Sequence, residues 1–215
     1  MTADPKIGRV IIGDACIAEG ADWLAARQPL FSVALQSTGP LPLRLRPDGF
    51  DQLLSAIVSQ QVSVASADAI WGRMQQAGLT DADAILRADD DALRAAGLSR
   101  QKMRYARALA EARIDYAALR RLPTPQVIAT LTEVPGIGVW TAEIYAMFSL
   151  GRADVFAAGD LALQESARVL FDLPERPRER ALRDMAADWS PWRSVAARLL
   201  WAYYRLVTER RGISD

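Results

Sequence analysis

Few residue types in this sequence are available for chemistry. Histidine is absent, Cys16 is the one cysteine, and lysine occurs only at Lys6 and Lys102. Without histidine there is no imidazole for acid–base catalysis or zinc binding, and a single cysteine excludes an internal disulfide and a cysteine-bound cluster. The candidates that remain are carboxylates, tryptophans and a glycine-rich turn, which suit charge stabilisation, stacking and anion binding.

The glycine-rich turn lies in the string VPGIGVWTA at positions 134–142, between two apolar helical patterns. Gly136 and Gly138 permit a tight turn and the close approach of another backbone. The following helix begins with unpaired N–H groups and the positive end of its dipole. The turn and the helix start therefore predict an anion site that needs no lysine. An ordinary corner between two helices is the alternative explanation of the glycines alone.

One carboxylate is prominent downstream, in the string DVFAAGDLALQ. Asp160 follows a glycine and precedes an apolar helical pattern, so it can cap the helix. It can instead project as an anion into a cleft between two lobes. The spacing leaves both roles open. We expect Asp154 in the same string to be a solvated loop charge.

The elements that position these residues are predicted to be helices, because apolar residues recur at helical spacing along almost the whole chain. Gly78 predicts a helix C-terminus. The pairs Thr124-Pro125 and Ser190-Pro191 each predict a helix start, with the hydroxyl residue as N-cap. We therefore predict an all-α fold.

The chain is predicted to divide into two helical lobes. The alternating string at 40–47 contains three prolines and is predicted to be a linker. One lobe, residues 49–150, would carry the hairpin. The other, formed by 1–48 and 151–215, would carry Asp160, with a hinge near Gly151.

Composition limits the partners and the cellular compartment that can be expected for the protein. The 215 residues include 26 basic and 26 acidic side chains, so net charge gives no general argument for nucleic-acid binding. No signal-peptide pattern opens the chain, and no run of apolar residues is long enough to span a membrane. A lone thiol fits a reducing compartment. We expect a cytoplasmic protein.

Several strings together resemble a known family. The hairpin string and the strings LLSAIVSQQVSVASADAIWGRM, AAGLSRQKMRYARALA and WSPWRSVAARLLWAYY are similar to segments of the 3-methyladenine DNA glycosylase II (AlkA-type) branch of the helix-hairpin-helix DNA glycosylase superfamily. The resemblance implies a two-lobed helical fold with the active site in the interlobe cleft. It also implies excision of alkylated purines, 3-methyladenine and 7-methylguanine, from double-stranded DNA in base excision repair.

By this resemblance Asp160, 22 residues after Gly138, is the catalytic aspartate. An alkylated purine is already positively charged and leaves without a general acid. One carboxylate then suffices to stabilise the cationic sugar and to assist water. Relatives that also cut the backbone carry a lysine at the position of Trp140. The resemblance therefore implies a monofunctional N-glycosyl hydrolase without β-lyase activity.

The resemblance further implies a base pocket and contacts with DNA. The pocket residues are Trp140, Trp201 and Ile144. Gln61 aligns with a side chain that intercalates where the base is extruded, although a helix junction explains it as well. The DNA contacts implied by the resemblance are Gln61, Gly136, Ile137, Gly138, Thr141, Ser99 and Lys102. A helix start explains Ser99 and Lys102 equally well.

No cofactor is expected, apart from a monovalent cation at the hairpin carbonyls 133–138 of the kind the family often binds. About 48 residues precede the matched region, which favours the compact form without the α/β domain of longer relatives. We expect a monomer that has no membrane partner and acts on the nucleoid in a bacterial cytoplasm. A non-catalytic helix-hairpin-helix module, or a glycosylase for hypoxanthine, etheno adducts or uracil, are the alternatives.

Overall fold

The computed structural model of the chain describes residues 6–210, the Arg210 side chain excepted. Within this range the regular secondary structure is helical, and an isolated antiparallel β-bridge joins Val10 to Arg152. The predicted all-α fold is confirmed. No helix in the described range combines the length and the apolar composition needed to cross a bilayer.

In chain order the helices are α1 (Asp14–Arg27), α2 (Pro29–Thr38), α3 (Phe50–Ser59), α4 (Val64–Gln76), α5 (Ala82–Arg87), α6 (Asp90–Ala95), α7 (Arg100–Glu111), α8 (Tyr116–Leu119), α9 (Thr124–Thr132), α10 (Val139–Phe148), α11 (Leu161–Leu170), α12 (Glu179–Met185) and α13 (Arg193–Arg210). A 3-10 turn, Ala186–Trp189, lies between α12 and α13. The proline-containing segment 40–47 has no regular structure, as predicted.

Polar N-caps explain where many of these helices begin. The side chains of Ser63, Asp81, Asp89 and Ser99 each accept a hydrogen bond from the backbone N–H three residues later. Each bond satisfies one of the N–H groups that a helix leaves without an internal partner. Asp160 does the same at the start of α11.

Two predicted helix starts were wrong by one or two positions. α9 begins at Thr124 itself, because Pro123 takes the extended conformation of an N-cap. α13 begins at Arg193, because the Ser190 hydroxyl donates to Asp154 and is not the cap of the helix. The predicted stop at Gly78 is confirmed, with φ +67° after the end of α4.

The chain divides into two compact units. One is formed by the residues up to Leu45 together with those from Ala146 onward, and the other by residues 46–145. The second boundary falls within α10, whereas the sequence placed it at residue 150. Gly151 is not at the boundary: its carbonyl accepts from the Ile11 N–H at 2.7 Å, and both residues belong to the first unit.

The core of the first unit contains an aromatic cluster. Trp189 stacks on Phe171 with 6.0 Å between ring centroids. Phe31 and Phe156 meet the same indole edge-on, at 5.1 and 5.3 Å. Aromatic pairs in these geometries add to the free energy of burial. Trp189 therefore belongs to the structural core of this unit.

Candidate active site

Asp160 ends the loop that leads into α11. Its Oδ1 accepts the N–H groups of Ala162 and Leu163, each at 3.0 Å, and its own N–H donates to the Ala157 carbonyl at 2.9 Å. The side chain is half-buried. The N-cap role, which the spacing alone left open, is therefore confirmed, and it holds the carboxylate at the positive end of the α11 dipole.

The same oxygen has a third donor from a distant helix. The indole Nε1 of Trp201 in α13 donates to Asp160 Oδ1 at 3.2 Å. The Trp201 ring is half-buried and lies 5.8 Å from the ring of Phe148, at an angle of 31°. The Trp201 indole is thus directed to the carboxylate.

Side chains behind this pair hold it in place. Buried Gln164, one turn after Asp160, donates from Nε2 to the Ala158 carbonyl at 2.9 Å and so fixes the loop before the aspartate. The guanidinium of Arg198 lies 4.7 Å from the centroid of the Phe148 ring. These contacts restrict the orientation of the carboxylate and of the indole.

Arg198 is the most deeply placed of these residues. It is 1% exposed, and its Nε and Nη2 donate to the Leu43 carbonyl at 3.2 and 3.0 Å. Burial lowers the pKa of Arg198 to about 10, and the nearby charge of Arg44 adds to that effect. The side chain therefore stays charged at neutral pH. Sequence reasoning did not identify Phe148 or Arg198, although Arg198 lies within the string WSPWRSVAARLLWAYY.

The hairpin between α9 and α10 uses its two glycines differently. Gly136 has φ +95°, and a Cβ there would lie 2.4 Å from the ring of Tyr105. The chain itself therefore requires glycine at this position. Gly138 is exposed, and a Cβ there would have no neighbour within 4 Å. Nothing within the chain requires glycine at 138, which leaves room for another molecule.

The start of α10 has the form of an anion site. The Gly138 carbonyl accepts the Ala142 N–H at 3.0 Å, so the helical bonding begins directly after the turn. The first N–H groups of such a helix have no acceptor within the helix, and they lie at the positive end of its dipole. The exposed Gly138 gives access to them.

Three of the predicted DNA contacts are not supported by where the structure places their side chains. Ile137 and Thr141 are buried, and the Ile137 N–H already donates to the Val134 carbonyl at 3.0 Å. Lys102 is 9% exposed, and its ammonium donates to the Val58 carbonyl at 2.6 Å. The family resemblance implied a contact of this lysine with DNA, but burial directs its side chain into the protein.

The remaining predicted residues are accessible. Trp140 is 47% exposed in the first turn of α10, and Ile144 is half-buried one turn later. Gln61 is exposed in the turn between α3 and α4. Ser99 is exposed and caps α7. The roles of these residues in binding a base or DNA stay predictions.

Asp154 differs from expectation. It is not a solvated loop charge, since its carboxylate pairs with Arg193 and accepts the Ser190 hydroxyl at 2.8 Å. Arg193 thereby anchors the start of the last helix through a carboxylate. The Asp154 carboxylate therefore has a structural role, and Asp160 is the candidate catalytic carboxylate of this segment.

The hairpin and the downstream aspartate are features of one family. Residues 54–191 match the HhH-GPD superfamily of base excision DNA repair proteins, and the chain belongs to this family. DNA-3-methyladenine glycosylase 1 of Schizosaccharomyces pombe is 31% identical over 170 residues, which cover 75% of each chain.

Two solved structures show the same relationship. The crystal structure of DNA-3-methyladenine glycosidase from Bacillus halodurans is 35% identical, with a TM-score of 0.80 and 94% of each chain covered. A 3-methyladenine DNA glycosylase of Schizosaccharomyces pombe, in complex with abasic DNA, is 28% identical with a TM-score of 0.73. That match covers 85% of this chain and 95% of the other.

Proposed function

We propose that this protein is a DNA glycosylase that removes alkylated purines, 3-methyladenine and 7-methylguanine, by hydrolysing the N-glycosidic bond. The observation that carries the proposal is the Asp160 carboxylate, held by the α11 start and by the Trp201 indole, in a chain of the HhH-GPD family. Relatives named as 3-methyladenine DNA glycosylases support the same substrate class.

In the proposed reaction Asp160 acts on the sugar. Loss of a cationic purine leaves positive charge on the anomeric carbon and the ring oxygen of the deoxyribose. A carboxylate with a fixed orientation stabilises this charge without reorganising during the reaction. It then accepts a proton from the water that attacks the anomeric carbon. The products are the free base and an abasic site.

The proposed base pocket uses electron-rich rings. Trp140 and Trp201 supply indole faces, and Ile144 supplies an apolar surface. Stacking of a cation on an indole contributes about 0.5–2 kcal/mol. This attraction favours alkylated purines over neutral ones, and the better leaving group adds to the discrimination.

The proposed grip on DNA depends on the hairpin. The N–H groups around Gly136 and Gly138 would bind a backbone phosphate. The carbonyls of 133–138 would hold a monovalent cation, and three of them, those of Val134, Gly136 and Gly138, already accept one hydrogen bond each. A carbonyl oxygen has two lone pairs, so this is compatible with a bound cation. Gln61 would fill the space left by the extruded base, and Ser99 would contact a second stretch of backbone.

We further propose that the enzyme is monofunctional. The first turn of α10 presents the Trp140 indole where a lyase would need an amine, and the Lys102 ammonium is buried against Val58. Neither can form a Schiff base with the abasic sugar. We also propose that the protein acts as a monomer in the cytoplasm. Size-exclusion chromatography with light scattering measures the molar mass and so tests the monomeric state.

The test is base release from methylated duplex DNA. Purified protein should liberate 3-methyladenine and 7-methylguanine, and the strand should break only after alkali treatment. Borohydride should trap no covalent complex. Release of hypoxanthine, ethenoadenine or uracil in preference to alkylated purines would assign another base specificity. Binding without release of any base would show a non-catalytic module.

A further inference from the structure

The turn that joins α3 to α4, residues 59–63, has an unusual backbone for its sequence. We call it the wedge turn because it carries Gln61. That residue has φ +57° although it is not glycine, and its side chain is exposed. A left-handed conformation is unfavourable for a residue that carries a Cβ. Such a conformation persists only where surrounding contacts fix it.

Two side chains make those contacts. Gln60, next to the exposed glutamine, donates from Nε2 to the Gly136 carbonyl at 2.8 Å. Lys102 donates from Nζ to the Val58 carbonyl at 2.6 Å, at the end of α3. Ser63 closes the turn by capping α4. The turn is therefore fixed at its start, near its centre and at its end.

The acceptor of the Gln60 bond is itself rigid. Gly136 is held at φ +95° with its backbone against the Tyr105 ring. Val134 and Ile137 bridge the same loop by a backbone hydrogen bond of 3.0 Å. The wedge turn is thus tied to the hairpin loop, and both lie in the unit of residues 46–145.

We propose that Gln60 is a positioning residue that fixes the wedge turn to the hairpin, so that the hold on the DNA backbone and the insertion of Gln61 are coupled. Lys102 is the second anchor of the turn. The proposal rests on the proposed function for the role of Gln61. It assigns to Lys102 an internal role in place of a contact with DNA.

The geometry gives the proposal a physical basis. Without the Gln60 amide, the wedge turn keeps its caps but loses its connection to the loop that binds phosphate. The hairpin would then bind DNA as before, while Gln61 would sample conformations that do not enter the duplex. Loss of one hydrogen bond of this kind corresponds to about a threefold to tenfold effect.

The experiment compares Gln60→Met, which keeps the side-chain length and removes the donor, with Gln61→Ala and with the double variant. Lys102→Met tests the second anchor, and its melting temperature shows whether it folds. Gln52→Met is the matched control, since it also removes an amide donor, here one to the Asp51 carboxylate at 3.4 Å, at the opposite end of α3 from the wedge turn. The readouts are affinity for undamaged duplex, fluorescence of 2-aminopurine beside an abasic site, and the single-turnover rate on 7-methylguanine DNA.

Gln60→Met should keep its affinity for undamaged duplex within about twofold, because phosphate contacts dominate that binding. For this variant, the increase in 2-aminopurine fluorescence on binding and the single-turnover rate should each be about threefold to tenfold smaller than for the wild type. The double variant should be no worse than Gln61→Ala, since both changes remove one coupled function. Gln52→Met should match the wild type in all three readouts.

Additive effects of Gln60→Met and Gln61→Ala, or a Gln60→Met protein that matches the wild type, would overturn the proposal. So would an equal loss in every readout, which would show a general structural role. If the wild type released no alkylated base, the proposed function would fail. The affinity and fluorescence measurements on undamaged and abasic DNA would still decide the role of Gln60.

Discussion

The indole N–H of Trp201 donates to Oδ1 of Asp160 at 3.2 Å, between helices α13 and α11 and across 41 residues of sequence. The same oxygen accepts the two N–H groups at the start of α11. One oxygen thus receives three donors, two from the backbone and one from a side chain. The aspartate that caps the helix and the aspartate proposed for catalysis are the same group in one fixed orientation.

Trp201→Phe should slow base release while leaving the fold intact. Phenylalanine keeps an aromatic ring beside Phe148 and removes the N–H that orients Asp160. We expect the single-turnover rate to fall about tenfold, as for a hydrogen bond to a charged group. The rate on 7-methylguanine DNA and the melting temperature are the measurements.

Trp23→Phe is the control for that change, because Trp23 is also half-buried in the first unit but faces Arg27. It should leave the rate unchanged. An unchanged rate in Trp201→Phe as well would show that the indole N–H does not orient the carboxylate during the reaction.

Asp160→Asn should abolish base release with little effect on stability. Asparagine caps helices as well as aspartate does, so α11 should form normally. Removal of the charge should cost at least about 100-fold in rate, as for other preorganised electrostatic groups. Affinity for duplex with an abasic site should persist in a gel-shift or anisotropy measurement.

Asp81→Asn provides the comparison, since Asp81 caps α5 in the same way and accepts the Ala84 N–H at 2.8 Å. It should retain the full rate. Base release by Asp160→Asn at the wild-type rate would mean that Asp160 serves only as a cap.

The two hairpin glycines should respond differently to alanine. Gly138→Ala should fold with an unchanged melting temperature, since a Cβ there meets no neighbour within 4 Å. It should nevertheless weaken binding to duplex DNA, because the Cβ would occupy the space through which a phosphate approaches the N–H groups of α10. Fluorescence anisotropy at fixed salt measures the affinity.

Gly136→Ala should instead destabilise the protein. The new Cβ would meet the Tyr105 ring, and the backbone would keep a left-handed φ. The left-handed backbone alone costs about 1–2 kcal/mol, and for a chain of this size each kcal/mol lowers the melting temperature by about 2–4 °C. Equal stability of the two variants would contradict the division of roles between the glycines.

Trp140→Ala should impair the release of cationic bases more than that of neutral ones. The exposed indole of Trp140 is proposed to attract a positively charged purine through its ring face. We expect about a tenfold larger loss on 7-methylguanine than on hypoxanthine, which is near the upper range of a cation–π contact. Parallel single-turnover assays on the two substrates measure this, and equal losses would exclude a cation-selective role.

Much of the fold could be predicted from sequence because it is locally determined. The end of α4 at Gly78 and the start of α11 at Asp160 are two separate examples. Each depends on residues that lie within three or four positions of that helix end. A helix end needs a partner for its own N–H and carbonyl groups, and the nearest suitable side chain supplies it. The start of α13 was predicted too early, at a place where the Ser190 hydroxyl donates to Asp154, a residue distant in sequence.

The sequence by itself also determined the family resemblance, the lack of imidazole and cluster chemistry, and the position of the carboxylate. Only the tertiary structure decided that Trp201 donates to that carboxylate, that Lys102 is buried, and that Gln60 reaches Gly136. Each of these contacts joins residues far apart in the chain. Their geometry depends on how helices pack, and side-chain identity alone does not say which way a tryptophan, a lysine or a glutamine will face.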